Sequence, residues 1–284
     1  MNDDIHISII VNNTTSHSDF ITEHGLSLWI EYKEKKILFD TGQSNAVISN
    51  AKNLGIDLAS ADAIVISHGH YDHTGGLSDV LDIAVQAKVY IHPLATEPKF
   101  NKKAQNVKYI GMPDSAKKSI ENRNVVWTSK PVNLPCTRAV HGLFDGITIT
   151  GEIPRLNDYE DVGGYFYLDE NCLDPDDLLD DQTLFMESSM GLIVIFGCAH
   201  SGVVNILDYI SKLTNCKKIY AVIGGMHLLN ADQKRIDNTI EAFKKYDVQK
   251  LIPLHCTGQQ ALKVFEDIFC KKCLISGVGD KINF

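Results

Sequence analysis

The sequence predicts an α+β fold in which two β-sheets pack together and helices lie outside them. Short apolar runs, many of them β-branched, recur along the whole chain and indicate strands. The first half contains mostly such runs, whereas the end alternates them with helical periodicity, which argues against a doubly wound parallel sheet. With 284 residues and 44% apolar side chains, the chain can form a substantial core, and we expect a single domain over residues 1–284.

The order of these patterns predicts twelve strands and six helices. The strands are expected at residues 5–11, 26–32, 36–40, 63–67, 88–92, 125–128, 147–150, 165–168, 184–187, 192–196, 218–223 and 250–254. The helices are expected at residues 44–54, 77–84, 115–122, 203–213, 231–246 and 259–269. In the fifth helix, Ile236, Ile240 and Phe243 form an apolar stripe that would face a core.

The composition argues against several kinds of partner. With 27 basic and 36 acidic residues the net charge is −9, so the chain lacks the basic field that nucleic-acid binding needs. The first residues include acids where a secretory signal has basic residues, and no apolar run approaches the ~18 residues of a membrane span. Seven scattered cysteines, an odd number, fit reduced thiols better than a disulfide framework. We therefore expect a soluble cytoplasmic protein that binds neither nucleic acid nor a membrane.

One segment, residues 156–181, is rich in acids and contains no basic residue. Charge runs of this kind are usually solvated, so we expect an acidic excursion or lid here in preference to a cation site. Arg155 directly precedes the segment. Its guanidinium is a candidate fork for a phosphate or carboxylate of the substrate, with a salt bridge into the acidic segment as the alternative.

The most specific motif follows the strand predicted at 63–67. His68, His70, Asp72 and His73 lie within six residues, next to small residues that permit a tight, exposed loop. Imidazole and carboxylate groups suit Zn²⁺, Fe and Mn²⁺, and ligands one residue apart can converge from a loop at a strand end. Four ligands exceed what one tetrahedral site takes while leaving a position open for water. The motif therefore predicts two neighbouring metals.

Three further histidines, His200, His227 and His255, come shortly after the ends of three successive predicted strands. Open α/β sheets gather their ligands at the carboxyl ends of strands. We therefore expect these histidines to contribute to the same kind of site. Cys198 lies two residues before His200, and the alternation of side chains along a strand predicts that it points away from the metal. For Cys256, next to His255, a packed thiol is favoured over a ligand.

These motifs resemble the metallo-β-lactamase superfamily. The resemblance includes Asp40 in Leu38-Phe39-Asp40-Thr41-Gly42, the HxHxDH loop and histidines at the third and fifth ligand positions. Within the superfamily the chain is most similar to the branch of the 7,8-dihydropterin-6-yl-methyl-4-(β-D-ribofuranosyl)aminobenzene 5'-phosphate synthases. The motifs that carry this closer resemblance extend over nearly the whole chain: Glu23-His24-Gly25-Leu26-Ser27, the loop from Ser67 to Leu77, Gly151-Glu152-Ile153-Pro154-Arg155, Asp181-Gln182, Gly197-Cys198-Ala199-His200-Ser201-Gly202, Gly224-Gly225-Met226-His227-Leu228 and His255-Cys256-Thr257-Gly258.

The resemblance implies a four-layer αββα sandwich with two divalent metal ions, expected to be Zn²⁺ with Fe or Mn²⁺ as alternatives. Asp40 would lie beneath the metal loop and orient the ligands through hydrogen bonds. The superfamily pattern assigns the ligands in two sets: His68, His70 and His200 for one metal, and Asp72, His73 and His255 for the other.

The chain departs from the superfamily pattern after the strand predicted at 218–223. The superfamily usually supplies a bridging aspartate there, but this chain has Gly225-Met226-His227 and no carboxylate before Asp232. His227 is expected in the cleft, either as a metal ligand or as a contact to the substrate. Without the bridging charge, the second metal should bind more weakly than the first.

The main functional prediction is a metal-dependent hydrolase whose dinuclear centre activates water against a small phosphoester, ester or lactone. Asp72 and His227 are its predicted catalytic residues. The branch resemblance implies an alternative, a pterin-pathway transferase in which an aromatic ring carbon or amine displaces diphosphate from a dihydropterin methylene. A metal redox protein is a third, less favoured hypothesis, because flavodiiron proteins of this fold have a carboxylate where this chain has His70. The expected partner is a small, anionic substrate.

Two more histidines are candidate substrate contacts. His92 ends the strand predicted at 88–92 and precedes a proline, a position that suits either a structural histidine or one facing the cleft. His24 belongs to the Glu23-His24-Gly25 motif and has the same two interpretations.

Overall fold

The computed structural model describes residues 5–121, 123–134, 146–216 and 218–284. Cys136 lies outside the described residues. The described chain forms two compact units. Unit 1 contains the described residues up to Thr128 together with Tyr165–Asp176 and Ser276–Phe284, and unit 2 contains those of Ser129–Gly164 and Asp177–Ile275. The expectation of a single domain over the whole chain stays a prediction.

The strands of the described chain are numbered in order. They are β1 (Ile5–Val11), β2 (Ser27–Tyr32), β3 (Lys35–Phe39), β4 (Ala63–Val65), β5 (Lys88–Ile91), β6 (Phe100–Lys103), β7 (Asn106–Tyr109), β8 (Val125–Trp127), β9 (Val132–Leu134), β10 (Ile147–Ile149), β11 (Phe166–Tyr167), β12 (Leu184–Ser188), β13 (Gly191–Phe196), β14 (Ile219–Gly225), β15 (Lys250–Leu254) and β16 (Lys281–Asn283).

The helices are numbered in the same way. They are α1 (Ala46–Leu54), α2 (Tyr71–Thr74), α3 (Leu77–Ile83), α4 (Asp114–Glu121), α5 (Val203–Thr214), α6 (Gln233–Lys245) and α7 (Gln259–Phe269). Short 3₁₀ turns lie at Leu58–Ser60, Pro93–Thr96, His255–Thr257 and Cys270–Lys272.

Unit 1 is built on a seven-stranded sheet in the order β16-β1-β2-β3-β4-β5-β8. Strands β16 to β3 pair antiparallel, whereas β3, β4, β5 and β8 run parallel. Helices α1, α3 and α4 bury Val47, Leu81 and Ile120 in one apolar cluster with strand residues such as Ile64. Because β3, β4 and β5 are parallel, the residues that follow them lie at one edge of the sheet.

Unit 2 is built on a six-stranded sheet in the order β15-β14-β13-β12-β10-β9. Strands β13, β14 and β15 run parallel, and the others pair antiparallel. The predicted stripe of Ile236, Ile240 and Phe243 on α6 is buried in the apolar cluster of this unit, with Ile206 of α5 and Phe265 of α7. The predicted orientation of this helix is therefore confirmed.

The predicted elements agree with the structure. All twelve strands and six helices are present, with ends within two residues of the predicted positions. The prediction missed the short strands β6, β7, β9 and β16 and the single turn α2. Strands β6 and β7 pair with β11 in a small separate sheet in unit 1. Their sequences, with Asn and Lys at five of eight positions and one apolar residue in β7 other than Tyr109, lack the apolar alternation that indicates a strand.

The acidic segment at 156–181 is not a solvated excursion throughout. Glu160, Asp176, Asp180 and Asp181 are buried, and the expectation of solvation is wrong for these four carboxyl groups. The reason is that buried partners are available. Asp176 accepts a hydrogen bond from Nζ of the buried Lys99 at 2.9 Å, within unit 1. Charge pairing of this kind makes burial of a carboxylate tolerable. No helix in the described ranges is long and apolar enough to cross a membrane.

Candidate metal centre

In unit 1, the predicted site residues gather at the carboxyl edge of three parallel strands. Asp40 follows β3, the loop that begins with Ser67 and His68 follows β4, and His92 follows β5. Apart from His92, these side chains are joined by the hydrogen bonds described next. Unit 1 therefore brings Asp40 and the start of the metal loop to one place.

Asp40 lies at the base of the loop and fixes the orientation of two ring systems. Its Oδ1 accepts from the Ser67 amide at 2.7 Å, and its Oδ2 accepts from the Ser67 hydroxyl at 2.7 Å and from Nδ1 of His73 at 2.7 Å. Because the Ser67 hydroxyl donates to Asp40, it accepts from Nδ1 of His68, which is 2.9 Å away. In both histidines Nδ1 therefore carries the proton, and Nε2 has the lone pair that a metal needs.

The loop histidines lie close together. Nε2 of His68 and Nδ1 of His70 are 2.9 Å apart. His70 precedes α2 directly, and this single turn presents Asp72 and His73, with Oδ2 of Asp72 3.8 Å from Nε2 of His73. Gly75 ends the turn, and a Cβ there would lie 2.2 Å from the main-chain oxygen of Gln43. Only glycine therefore allows this close backbone approach.

Three further residues of unit 1, His24, Phe166 and His92, differ in their contacts. His24, about half exposed, holds its Nε2 3.2 Å from Oδ2 of Asp72. Phe166 on β11 places its ring 5.2 Å from that of His70. His92 is buried, and its Nδ1 accepts from the Leu94 amide at 3.2 Å, so it caps the short turn that follows β5. Contact of His24 or His92 with a substrate stays a prediction.

In unit 2, the three strand-end histidines also share one edge of a parallel sheet. His200, His227 and His255 follow β13, β14 and β15. The rings of His200 and His227 are 4.3 Å apart between centroids. The expectation that successive strands deliver these histidines to a common edge agrees with the structure, whereas their roles as ligands stay predictions.

A short part of the acidic segment, Asn157–Gly163, holds two of these histidines. Nδ1 of His200 donates to the Val162 carbonyl at 2.8 Å, and Nε2 of His227 faces the Gly163 carbonyl at 3.3 Å. A carbonyl only accepts, so Nδ1 of His200 carries the proton and Nε2 is left for a metal. We refer to Asn157–Gly163 as the histidine strap.

The histidine strap is anchored on α5 and α6. Glu160 accepts from the amides of Val204 and Asn205, each at 2.9 Å, and so places its negative charge at the N-terminus of α5. Asp161 accepts from Nη1 of the buried Arg235 on α6 at 2.6 Å. The sequence analysis missed this function of the segment. The glycine pair Gly163-Gly164 within an acidic stretch was the available signal, because glycine permits the close approach of a carbonyl to a ring.

Arg155 and Asp181 support the backbone around His200. Arg155 donates from Nη1 to the His200 carbonyl at 2.7 Å and from Nη2 to the carbonyls of Asp177 and Leu178. Asp181 accepts from the Ser201 amide at 2.7 Å. Burial raises the pKa of Asp181 to about 6, although the hydrogen bonds from Ser201 and the charge of Arg155 partly oppose this rise. The described contacts of Arg155 are thus to main-chain carbonyls, and its contact with a substrate stays a prediction.

The expectation for Cys198 is wrong. Its Sγ and the nearest ring nitrogens of His200 and His227 all lie within 4.8 Å of one another. Side chains two positions apart in a strand lie on the same face, so alternation gave no reason to separate Cys198 from His200. The strand β13 moreover ends at Phe196, and Ala199 has φ +57°. The distances place Cys198 and His200 on the same side.

Cys256 lies beside Cys198, and its role as a ligand or as a packed thiol stays a prediction. The two Sγ atoms are 3.3 Å apart, and Cys198, His255 and Cys256 form a second group whose ligand atoms lie within 4.8 Å of one another. Burial opposes ionisation of Cys256, but the hydrogen bond with Cys198 and the neighbouring His255 and His227 hold its pKa well below the usual value. Burial also opposes the charged form of His227, yet its contacts with Cys256 and the Gly163 carbonyl raise its pKa.

The donor sets of both units fit a divalent metal. In unit 1 the 2.9 Å between the His68 and His70 nitrogens is near the roughly 3.3 Å expected for two ligands 2.0–2.1 Å from one tetrahedral ion. In unit 2 the cluster contains imidazole and thiol groups, which suit Zn²⁺ and Fe. Hydrogen bonds that fix the rings of His73 and His200 complete the arrangement typical of metal-binding histidines.

Comparison with known proteins identifies the family. The sequence profile of the metallo-β-lactamase superfamily matches residues 22–209. The chain is 34% identical over 269 residues to the 7,8-dihydropterin-6-methyl-4-(β-D-ribofuranosyl)-aminobenzene-5'-phosphate synthase of Methanocaldococcus jannaschii, which covers 89% of this chain and 87% of that protein. It is 32% identical over 257 residues to an uncharacterized protein of the same organism, with 90% and 92% covered.

Solved structures agree with this result. The crystal structure of a metal-dependent hydrolase of the β-lactamase superfamily matches with a TM-score of 0.82 and 28% identity over 99% of both chains. A metallo-β-lactamase-fold protein of Bacillus subtilis matches in fold, with a TM-score of 0.57 and 12% identity over the full length of both chains. The chain therefore belongs to the metallo-β-lactamase superfamily, and the predicted fold class, an α+β sandwich, is confirmed.

Proposed function

We propose that this protein is a metal-dependent transferase that joins a dihydropterin to a 4-(β-D-ribofuranosyl)aminobenzene 5'-phosphate. The observation that carries this proposal is the 34% identity, over 89% of the chain, to a synthase named for that product. This function is the alternative of the sequence analysis, and the comparisons support it better than the hydrolase that was the main prediction.

The proposed reaction forms one bond and breaks one. The arylamine nitrogen attacks the methylene carbon of a dihydropterin methyl diphosphate, the carbon–oxygen bond to diphosphate breaks, and the nitrogen loses a proton. We assign this proton to the carboxylate of Asp72, which is nine-tenths buried and held by His24 at 3.2 Å. A carboxylate is basic enough, because the arylammonium that forms is a much stronger acid than an alkylammonium.

The aromatic ring of Phe166 in unit 1 suits contact with a flat heterocycle. The ring of Phe166 lies 5.2 Å from that of His70, and Phe166 is only partly buried. A dihydropterin can stack on such a ring with offset geometry. The pairing of β11 with β6 and the buried pair of Lys99 and Asp176 keep this ring in position.

The metal ligands proposed here follow the superfamily pattern. His68, His70 and His200 are assigned to one ion, and Asp72, His73 and His255 to a second. Divalent ions bound there would supply positive charge that stabilises the departing diphosphate. Asp40 and the histidine strap set the tautomers of His73 and His200, so that each presents Nε2 as the ligand atom.

A hydrolase is the second candidate function. It is favoured by the match to a metal-dependent hydrolase structure at a TM-score of 0.82 over 99% of both chains. The same donors and the same anionic substrate class serve both reactions. They differ in the nucleophile, which is an arylamine in the transferase and water in the hydrolase.

The test is a coupled assay with the purified metal-loaded protein. We expect 6-hydroxymethyl-7,8-dihydropterin diphosphate and the aryl ribofuranosyl phosphate to give the joined product and diphosphate in equal amounts, as measured by liquid chromatography and mass spectrometry. Asp72→Asn should slow coupling by about 100-fold or more, whereas Asp82→Asn, an exposed carboxylate next to Arg123, should leave it unchanged. Diphosphate release at the same rate without the aryl acceptor, and no joined product, would establish the hydrolase instead.

A further inference from the structure

The buried thiol pair Cys198 and Cys256 has no part in the proposed reaction. Cys198 follows β13 and Cys256 lies in the turn after β15, so both occupy the edge of unit 2 that presents the histidines. Both side chains are buried, and their sulfur atoms are 3.3 Å apart. Their position next to three metal-binding candidates calls for an explanation beyond packing.

Cys198 holds a central position among these donors. Within unit 2, its Sγ belongs to the cluster with the ring nitrogens of His200 and His227 and also to the cluster with His255 and Cys256. Each cluster has all its ligand atoms within 4.8 Å of one another. The sulfur of Cys198 is therefore near the nitrogen donors of both His200 and His255, which the proposed function assigns to different ions.

The net charge of the metal centre explains why the position of Cys198 matters. Two dications close together repel each other, and an anionic ligand between them lowers this repulsion. The chain has no carboxylate between Gly225 and Asp232, where the superfamily usually supplies a bridging one. An imidazole is neutral when it binds a metal, so His227 does not replace that charge. A thiolate carries a full negative charge and is a strong ligand for Zn²⁺ and Fe.

We propose that Cys198 binds the metal as a thiolate and supplies the negative charge that the missing bridging carboxylate would have provided. The thiol proton is released when the metal binds. The sulfur of Cys256 lies 3.3 Å from that of Cys198 and is not assigned as a ligand. This inference rests on the metal centre of the proposed function. Its test identifies the atoms bound to the metal and does not measure the reaction.

The test replaces the native metal with Co²⁺ in the full-length protein. A thiolate bound to Co²⁺ gives an intense near-ultraviolet charge-transfer band that nitrogen and oxygen ligands do not give. We expect this band in the wild-type protein, its loss in Cys198→Ser, and its retention at a shifted energy in Cys256→Ser. Cys216→Ser is the matched control, because Cys216 follows α5, away from the carboxyl edge of the sheet, and should keep the band unchanged.

A second measurement needs no variant. X-ray absorption of the wild-type protein loaded with Zn²⁺ should show a sulfur neighbour at about 2.3 Å. Absence of that shell, or retention of the cobalt band in Cys198→Ser, would overturn the proposal. Loss of the band in Cys256→Ser with retention in Cys198→Ser would overturn the choice of Cys198. None of these results decides the proposed transferase function, because they identify a metal ligand, whereas the coupled assay measures product formation.

Discussion

Four residues at the candidate centre have a left-handed backbone although none is glycine. Asp40, Ala199, His227 and His255 have φ values of +57°, +57°, +44° and +47°. Such a conformation costs about 1–3 kcal/mol per residue and persists where the surroundings impose it. Each of these residues lies within three positions of a strand end, where the turn directs the following side chains to the carboxyl edge of the sheet in its own unit. The strain therefore has a direct use in assembling the donors.

Asp181 makes stability depend on pH in an unusual direction. Burial raises its pKa to about 6 from 3.8, so the folded state holds this proton more tightly than the unfolded state does. The stabilisation is fully present below pH ~3.8 and is lost as the pH rises to about 6 and beyond. At 1.36 kcal/mol per unit, the change is about 3 kcal/mol.

Asp181→Asn should remove this dependence, because the amide keeps the acceptor for the Ser201 amide but does not ionise. We expect the free energy of unfolding of the metal-free protein, relative to that of the variant, to fall by about 2 kcal/mol between pH 4 and pH 7, which is most of the full change. Denaturant titrations at the two pH values measure it, with Asp82→Asn as the control. Equal pH dependence of the wild type and Asp181→Asn would refute the assignment.

At the scale of elements, the histidine strap positions ring nitrogens without binding a metal itself. Gly163 has φ +84°, and a Cβ there would lie 1.9 Å from Cδ2 of His227. Gly163→Ala should therefore displace the carbonyls that face His200 and His227. Loss of hydrogen bonds that orient ligands lowers metal affinity by about 10–100-fold, and we expect a reduction of this size in chelator competition.

The control for the strap is Gly191→Ala. Gly191 also has a positive φ, +133°, and its Cβ would lie 2.9 Å from a main-chain oxygen, but it begins β13 at the end opposite to Cys198. Its replacement should lower stability and leave metal affinity unchanged. Equal metal affinities for the two variants would show that the strap has no orienting role.

The sequence was informative about elements because their patterns are local. The strand and helix positions follow from apolar periodicity, and the gathering of His200, His227 and His255 follows from parallel strands that end together. The orientation of Cys198 was predicted wrongly, because Cys198 and His200 are two positions apart and residues with this spacing share one face of a strand. The burial of Glu160 could not be predicted, because its partners are the amides of α5, more than forty residues away.

At the scale of the whole molecule, the fold allows more than one reaction. The sequence profile shows membership of the metallo-β-lactamase superfamily, and the donor sets fit a divalent metal. The similarity to a synthase over most of the chain favours the transferase. Function depends on the site and not on the fold, so the choice between arylamine and water as nucleophile is one for the coupled assay. Both functions require a metal centre built from the loop motif.

Metal content per chain tests this claim most directly. In protein purified without added metal, elemental analysis by inductively coupled plasma mass spectrometry should find a divalent transition metal. His68→Ala combined with His70→Ala should lose at least one equivalent while its circular dichroism stays that of the wild type. The two histidines, with ring nitrogens 2.9 Å apart, belong to a loop and not to the apolar core. A folded double variant that keeps the wild-type metal content would contradict the account.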